Sequence, residues 1–455
     1  MRKNKTFYVL YVLGFFAFAK ANSQQTLDTL LTREEAVELM LENNFDIVIA
    51  RNQESIAENN TSILNSNYLP SVQGTAGASF DETDSETDFG GAVDDDGILR
   101  QNRVINDAET RQYNAAIAVN YTLFDGLGRF YNYKRLNEQY DLSQLQVRST
   151  VENTTLQLMS VYLEIARLTE NLDVFEQTLQ ISKERRTRAQ YQFDYGQVNK
   201  LEVLNALVDI NTDSINVLNA RQQLRNTKRD LNLLMNRELE ATFLVDTTVT
   251  FQNLLLVDSY IDDVADYNVR LLQAESNVEI SEYDIKTTRA LLLPRIGLSG
   301  SYGWNETNNP PTAFFPSTTR TSNSLQLGAS LTWDIFDGGS SIVSLRNALI
   351  ARENQEVIKS QIQTEVSRDL ANARGTYENA LAIYRMQEQN VITNMNNFER
   401  TQEQFKLGQI TSIEFRQAQV NLLDAETIKN LAKYDAKLAE YQLLQLTGQL
   451  LNIEL

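Results

Sequence analysis

Two stretches 212 residues apart constrain this chain more than any other feature: FDYGQVNKLEV (193–203) and FKLGQITSIEF (405–415). Phe, Gly, Gln and Glu coincide, and Val198/Ile410 and Leu201/Ile413 are close substitutes. Glycine inside a helix costs about 1 kcal/mol against alanine, so its return in a second long run of helix formers needs a structural reason. Other landmarks recur as well. NYLPSV (67–72) is answered by LLLPRI (291–296) at an offset of 224, and LFDGLG (123–128) by IFDGGS (335–340) at 212. The drop of 12 places a 12-residue insertion in the first copy, between 73 and 122. One structural unit is used twice.

Each copy reads in the same order. A helix of about 30 residues runs from near Glu34 to Tyr68 and again from near Asp262 to Leu292, at 1.5 Å per residue. Thr32 followed by Glu35 is a capping box for the first. Leu-Pro ends each helix, because the residue before proline is pushed towards extended backbone. Two extended segments close on Phe-Asp-Gly, and helices follow at roughly 130–192 and 340–405, then 198–237 and 411–450. Prolines occur only at Pro70, Pro294, Pro310, Pro311 and Pro316, which leaves these helices unbroken. The longest would span about 90 Å, wider than a compact domain. Gly196 and Gly408 then read as left-handed hairpin turns at the far tips of two antiparallel helix pairs. Leu201, Leu204, Val208, Ile215 and Leu218 follow the 3/4 spacing of a coiled-coil seam. The expected division is a signal peptide at 1–21, a first repeat at 22–238, a small irregular bridge at 239–261 and a second repeat at 262–455.

The extended segments alternate with period two. VQGTAGASF (72–80), YNAAIAVNYTLF (113–124), IGLSGSYGW (296–304) and LQLGASLTWDIF (325–336) each carry one apolar face and one small, polar face. A soluble sandwich could use such strands, but their length suits a membrane-spanning strand of about 9–11 residues. Tyr113, Tyr121, Tyr302, Trp304 and Trp333 fall on the apolar faces, as in a lipid-facing aromatic girdle. Four strands cannot close a barrel, and open edges are not tolerated in lipid. Several chains must share the barrel, and three are the fewest expected to leave a channel.

Composition removes other functions. The basic start at Arg2, Lys3 and Lys5, the apolar run 7–19 and Ala19-Lys20-Ala21 read as an export signal. Its loss takes the formal charge from −19 to −23, which disfavours nucleic acid. The chain has no cysteine and no histidine, hence no disulfide, no thiol nucleophile and no imidazole base. We expect no enzyme, no cofactor and no metal. The acidic stretch DETDSETDFGGAVDDDG (81–97) reads as a flexible external loop whose carboxylates would suit calcium, though its spacing is not that of an EF-hand.

The opening LTREEAVELMLENN (31–44), the paired Leu-Pro and Phe-Asp-Gly junctions and the doubled glycine tips together resemble the outer-membrane efflux protein (TolC-like) family. Arg33 stands where that family usually has an apolar residue. The resemblance covers essentially the whole mature chain. It implies a mainly α protein with a β-barrel part: a homotrimer whose 12-stranded barrel in the outer membrane continues into a helical coiled-coil tunnel across the periplasm. It also implies an exit duct for an inner-membrane transporter and its periplasmic adaptor, in drug efflux or type I secretion. On that likeness the adaptor docks at the tips, Tyr195, Gly196, Gln197 and Val198 with Leu407, Gly408, Gln409 and Ile410. Glu414 matches an acid that lines the closed mouth of the tunnel. Gln417 stands where the best-known member has a second acid, which weakens the case for a double acidic ring. Glu202, the repeat mate of Glu414, and Asp209 complete the gate candidates, against the plainer reading that these carboxylates are solvated faces of a coiled coil. The competing function is a periplasmic adaptor or other structural coiled-coil protein. An exported hydrolase finds no recognisable nucleophile or carboxylate pair.

Overall fold

The computed structural model describes residues 29–65, 67–312 and 315–452, and the expected signal peptide 1–21 lies outside them. The chain opens with β1 (Leu30–Leu31), α1 (Arg33–Asn43) and α2 (Phe45–Asn60). The single helix expected to reach Tyr68 is thus two, and it stops at Asn60. Asn44 divides them. Its side-chain oxygen accepts from the amides of Asp46 and Ile47 at 2.9 and 3.3 Å, and its side-chain amide donates to the Leu234 carbonyl at 2.9 Å. An asparagine that caps the next helix forces the previous one to end. Thr32 Oγ1 accepts from the Glu35 amide at 3.2 Å, which is one of the two bonds of the expected capping box.

Two extended segments follow, β2 (Ser71–Thr87) and β3 (Arg103–Phe124), then the long helices α3 (Gly128–Asp194) and α4 (Lys200–Leu234). The bridge holds β4 (Leu244–Val245), paired in parallel with β1, and α5 (Leu254–Asp262). The second copy comprises α6 (Val264–Tyr267), α7 (Val269–Ala290), β5 (Arg295–Asn309), β6 (Thr318–Thr332), α8 (Ser340–Lys406) and α9 (Ser412–Leu446). Here too an asparagine makes the division: Asn268 accepts from Arg270 and Leu271 and donates to the Leu446 carbonyl at 2.7 Å. The helix expected from Asp262 therefore begins at Val269. Leu234 and Leu446 are the last residues of α4 and α9, so each asparagine also satisfies a carbonyl that its helix leaves without a partner.

Helices α3 and α8 have 67 residues each and α4 and α9 have 35 each, so the repeat is kept to the residue. The longer pair spans about 100 Å. Asp125 and Asp337 start them, accepting from the amides of Arg129 at 3.1 Å and Ser341 at 2.8 Å. The glycine after Asp125 is required by space: a Cβ on Gly126, at φ +68°, would lie 2.7 Å from the Ala290 carbonyl oxygen. Gly196 and Gly408 have φ of +71° and +74°, and the chain reverses at each.

The core sits where the N-terminal helices and the bridge meet the middle of the bundle. Met40, Ile47, Leu158, Tyr162, Ile165, Leu231, Phe243 and Tyr441 form one buried cluster, and Leu370, Tyr377, Leu381 and Leu443 belong to a second. Leu158 and Leu370 are repeat mates, and α9 contributes to both clusters. The predicted seam of α4 is not a seam within the chain. Leu201, Leu204, Val208, Ile215 and Leu218 are exposed, Leu218 at 63%, while Ala206, Asp213, Val217, Ala220 and Leu231 face the neighbouring helices. Apolar 3/4 spacing identifies a stripe that must be covered, without saying by which chain.

The sheet has the order β2-β3-β5-β6, antiparallel throughout, with one edge of β2 and one of β6 unpaired among the described residues. Its register aligns like with like. Val72, Val119, Gly300 and Leu327 form one row across the four strands, and Gly74, Ile117, Tyr302 and Leu325 the next. The reverse face is Gln73, Ala118, Ser301 and Gln326, then Thr75, Ala116, Gly303 and Ser324. Three sequence expectations change. Residues 81–87 of the acidic stretch extend β2, paired with 103–110 of β3, so this part of the insertion is a ladder and not a free loop. Leu123 sits at a register shift, so Phe124 takes its place opposite Ile296. Helical start signals at Asp337 end β6 at Thr332, leaving Trp333 beyond the strand with its indole NH on the Leu292 carbonyl at 3.2 Å.

Candidate functional site

The two glycine turns lie side by side, and each is built by its own sequence. After α3 the Gly196 amide donates to the Phe193 carbonyl at 2.9 Å and the Gln197 amide to Gln192 at 2.7 Å. After α8, Gly408 and Gln409 donate to Phe405 and Gln404 at 3.1 and 2.9 Å. Both are Schellman closures, which need a left-handed residue and favour glycine there. Tyr195 and Leu407, just before the turns, project into solvent at 81% and 71% exposure. Asn199 caps α4 through the Glu202 amide, and Thr411 caps α9 in a full capping box with Glu414.

The four gate candidates, three carboxylates and one amide, have four different settings. Glu414 is exposed, and its carboxylate accepts from the Thr411 amide and hydroxyl, both at 2.8 Å. Those bonds hold its pKa below the ordinary value. Glu202 accepts from the Ser412 hydroxyl of the other tip. Asp209 is paired with Arg185 and lies 3.5 Å from Arg416 Nε. Gln417 is exposed and donates to Asn421 at 2.8 Å. Glu202, Asp209 and Gln417 line one cleft of about 630 Å³ together with Val198, Gly408 and Ile410, and Glu414 is not among its walls.

Beside this cleft is a polar cluster that sequence reasoning did not find. Arg416 of α9 grips Asp213 of α4 with two bonds, at 2.8 and 2.9 Å. The Ser182 hydroxyl of α3 donates to the same carboxylate at 2.6 Å, and Gln419 donates to the Thr178 carbonyl at 3.0 Å. Asp213 is only 2% exposed and Ser182 is fully buried. Burial and the nearby positive Arg416 pull the Arg185 pKa down to about 10, still far above neutrality. Two arginines and two aspartates thus fasten α9 of the second hairpin to α3 and α4 of the first. One signal was present in the sequence: Ala206, Asp213 and Ala220 are spaced by heptads, so Asp213 holds a seam position where a buried polar group fixes register. Its partner, 203 residues away, follows no pattern. Aromatic packing adjoins it, with the Phe405 and Phe415 rings stacked at 4.7 Å.

At the opposite end, Tyr121, Tyr302 and Trp304 fall on the apolar face of the sheet, paired with Leu298, Ile117 and Ala115 respectively, and Tyr113 lies one row beyond Trp304, opposite Glu306. From the Ile296 row to the Trp304 row is about 27 Å along the strand, or about 20 Å of height at a tilt of 40°, close to the apolar band of a membrane barrel. Among the described residues no helix is long and apolar enough to cross a membrane.

The profile of the family described as "Outer membrane efflux protein" matches residues 36–237 and 260–449. Outer membrane efflux protein BepC of Brucella suis is 21% identical over 334 residues, 73% of this chain and 72% of its own length. Outer membrane protein TolC of Vibrio cholerae is 20% identical over 67% of this chain and 70% of its own. The CmeC outer membrane channel of Campylobacter jejuni superposes with a TM-score of 0.72 at 15% identity, over 92% of this chain and 86% of that one. The two matched segments, the doubled helical hairpins and the two-faced sheet agree: the chain belongs to the outer membrane efflux protein family, and it is an outer-membrane efflux channel and not an enzyme.

Proposed function

We propose that three copies of this chain close a twelve-stranded barrel in the outer membrane and continue it as a helical tunnel across the periplasm. One observation carries the proposal: a four-stranded sheet with two unpaired edges and an exposed apolar face, which lipid does not tolerate in a lone chain. The exposed stripe Leu201, Leu204, Val208, Ile215 and Leu218 supports it, being a coiled-coil seam left uncovered by the described residues of its own chain. Covering five such side chains is worth roughly 1.5–3 kcal/mol each. Tyr113, Tyr121, Tyr302, Trp304 and Trp333 are the girdle, and repeats 22–238 and 262–455 flank the bridge 239–261.

The tips are the periplasmic mouth. Tyr195, Gly196, Gln197 and Val198 with Leu407, Gly408, Gln409 and Ile410 receive the hairpins of a periplasmic adaptor, which couples the duct to an inner-membrane transporter. Glu202 and Glu414 supply the negative charge of the mouth. Asp209, matched by Arg185, and Asp213, matched by Arg416, serve as a latch that keeps the second hairpin against the first. The mass of the detergent-solubilised protein and its conductance in planar bilayers test the channel. A particle of three chains that conducts is expected, and a non-conducting single chain would refute the proposal. The chain lacks cysteine, so crosslinkers placed at Gln197→Cys and Gln409→Cys in cells should capture the adaptor.

A further inference from the structure

The polar face of the sheet is almost free of charge. Over the rows from Gly297–Ser330 to Asn305–Ser322 it carries only glycine, alanine, serine, threonine, asparagine and glutamine. Arg295 stands one row below, opposite Thr332, and Arg320 one row above, opposite Thr307. Arg295 is exposed and lines a cavity of about 430 Å³ at the foot of the sheet with Asn120, Thr122, Asp125, Arg129, Ser299 and Ser330. The other guanidinium there is committed. Arg129 is bonded to Asp125 at 3.0 Å and to the Asn67 carbonyl, and it lies over the Tyr68 ring at 5.1 Å. The Arg295 side chain makes no hydrogen bond, ion pair or ring contact among the described residues. Asp334 lines an adjoining cavity with it, without an ion pair between them.

We propose that Arg295 is an oxyanion-binding station in the lumen wall, where the carboxylate, sulfate or phosphate groups of a passing solute are held at the foot of the barrel. This rests on the trimeric channel proposed above. Twelve strands at about 4.8 Å spacing and about 40° tilt give a wall radius of about 12 Å. A guanidinium reaching inward from that wall lies about one Debye length from its symmetry mates at physiological salt. A ring of like charges tunes the selectivity of a pore, and the planar fork of arginine matches an oxyanion with two bonds. The wall above it is neutral, and of the two acids below it Asp125 is paired with Arg129 while Asp334 makes no ion pair with Arg295.

Inorganic pyrophosphate, added to bilayers on the side that carries the β2–β3 hairpin, tests the assignment. From that side it reaches the barrel foot without crossing the helical tips, so the state of the tips does not matter. Block of the wild-type current is expected, with the half-blocking concentration raised tenfold or more in both Arg295→Gln and Arg295→Ser and restored in Arg295→Lys. Equal block in wild type and the neutral variants, no block of a conducting wild type, or loss of block in Arg320→Gln alone would overturn it. A trimer that conducts normally in those cases leaves the channel reading intact, whereas a chain that never conducts removes both.

Discussion

Replacing Arg416 by alanine should unlatch the tips. In the folded chain its guanidinium makes two charge-assisted bonds to Asp213, a carboxylate only 2% exposed. After truncation Asp213 keeps the Ser182 hydroxyl at 2.6 Å but has lost its positive partner. Stripping one member from a buried pair costs about 3–5 kcal/mol, since the remaining charge is left uncompensated. The lower end applies here, because Asp209 retains Arg185 and Ser182 still donates. About 3 kcal/mol lost from the closed arrangement changes the ratio of open to closed by about a hundredfold per chain. The assay is single-channel conductance of the purified variant beside the wild type, with the fraction of time spent in high-conductance states as the readout. Asp213→Leu combined with Arg416→Met removes both charges and should recover most of the thermal stability, because a well-packed apolar pair can replace a buried ionic one. Arg416→Ala trimers with wild-type conductance would refute the latch, and a lowered melting temperature alone would reduce the cluster to a structural role.

Three further outcomes follow from the same geometry. Leu218→Glu together with Ile215→Glu places charge on the exposed stripe of α4, and should lower the trimer fraction in detergent sharply while helical circular dichroism of the monomer persists; trimers at wild-type yield would contradict the seam. Leu327→Arg puts a cation in the middle apolar row of the sheet at about 2–4 kcal/mol near the bilayer midplane, and should reduce the heat-resistant oligomer recovered from outer membranes, whereas Gln326→Arg on the opposite face should not. The Glu414 carboxyl is held below its ordinary value of 4.5 by the Thr411 amide and hydroxyl. A depressed folded-state pKa means that its contribution is complete above the unfolded value and fades as pH falls through the folded one. Cation block that depends on Glu414 should therefore be constant from pH 8 to about 5 and weaken only below the ordinary carboxyl value, with Glu414→Gln flat throughout; weakening already between pH 7 and 6 would assign the block to another group.

The sequence by itself determined the repeat, the order of elements, the glycine turns and the two-faced strands. These are local properties: a left-handed turn favours glycine, Leu-Pro bars a helix from running on into the strand, and period two declares a strand with two environments. It also located the insertion, which became a longer β2–β3 hairpin. The Thr411-Ser-Ile-Glu414 cap was legible too, although the resemblance drew attention to the carboxylate of Glu414 and away from its bonds to Thr411. Tertiary structure alone decided what meets across the repeat. That Asp213 receives Arg416, that Asp209 is neutralised by Arg185, and that Leu201 to Leu218 turn outward depend on how two hairpins rotate about their axes. Helical periodicity specifies which residues share a stripe but not which neighbour that stripe faces, because every neighbour that excludes water satisfies the same pattern.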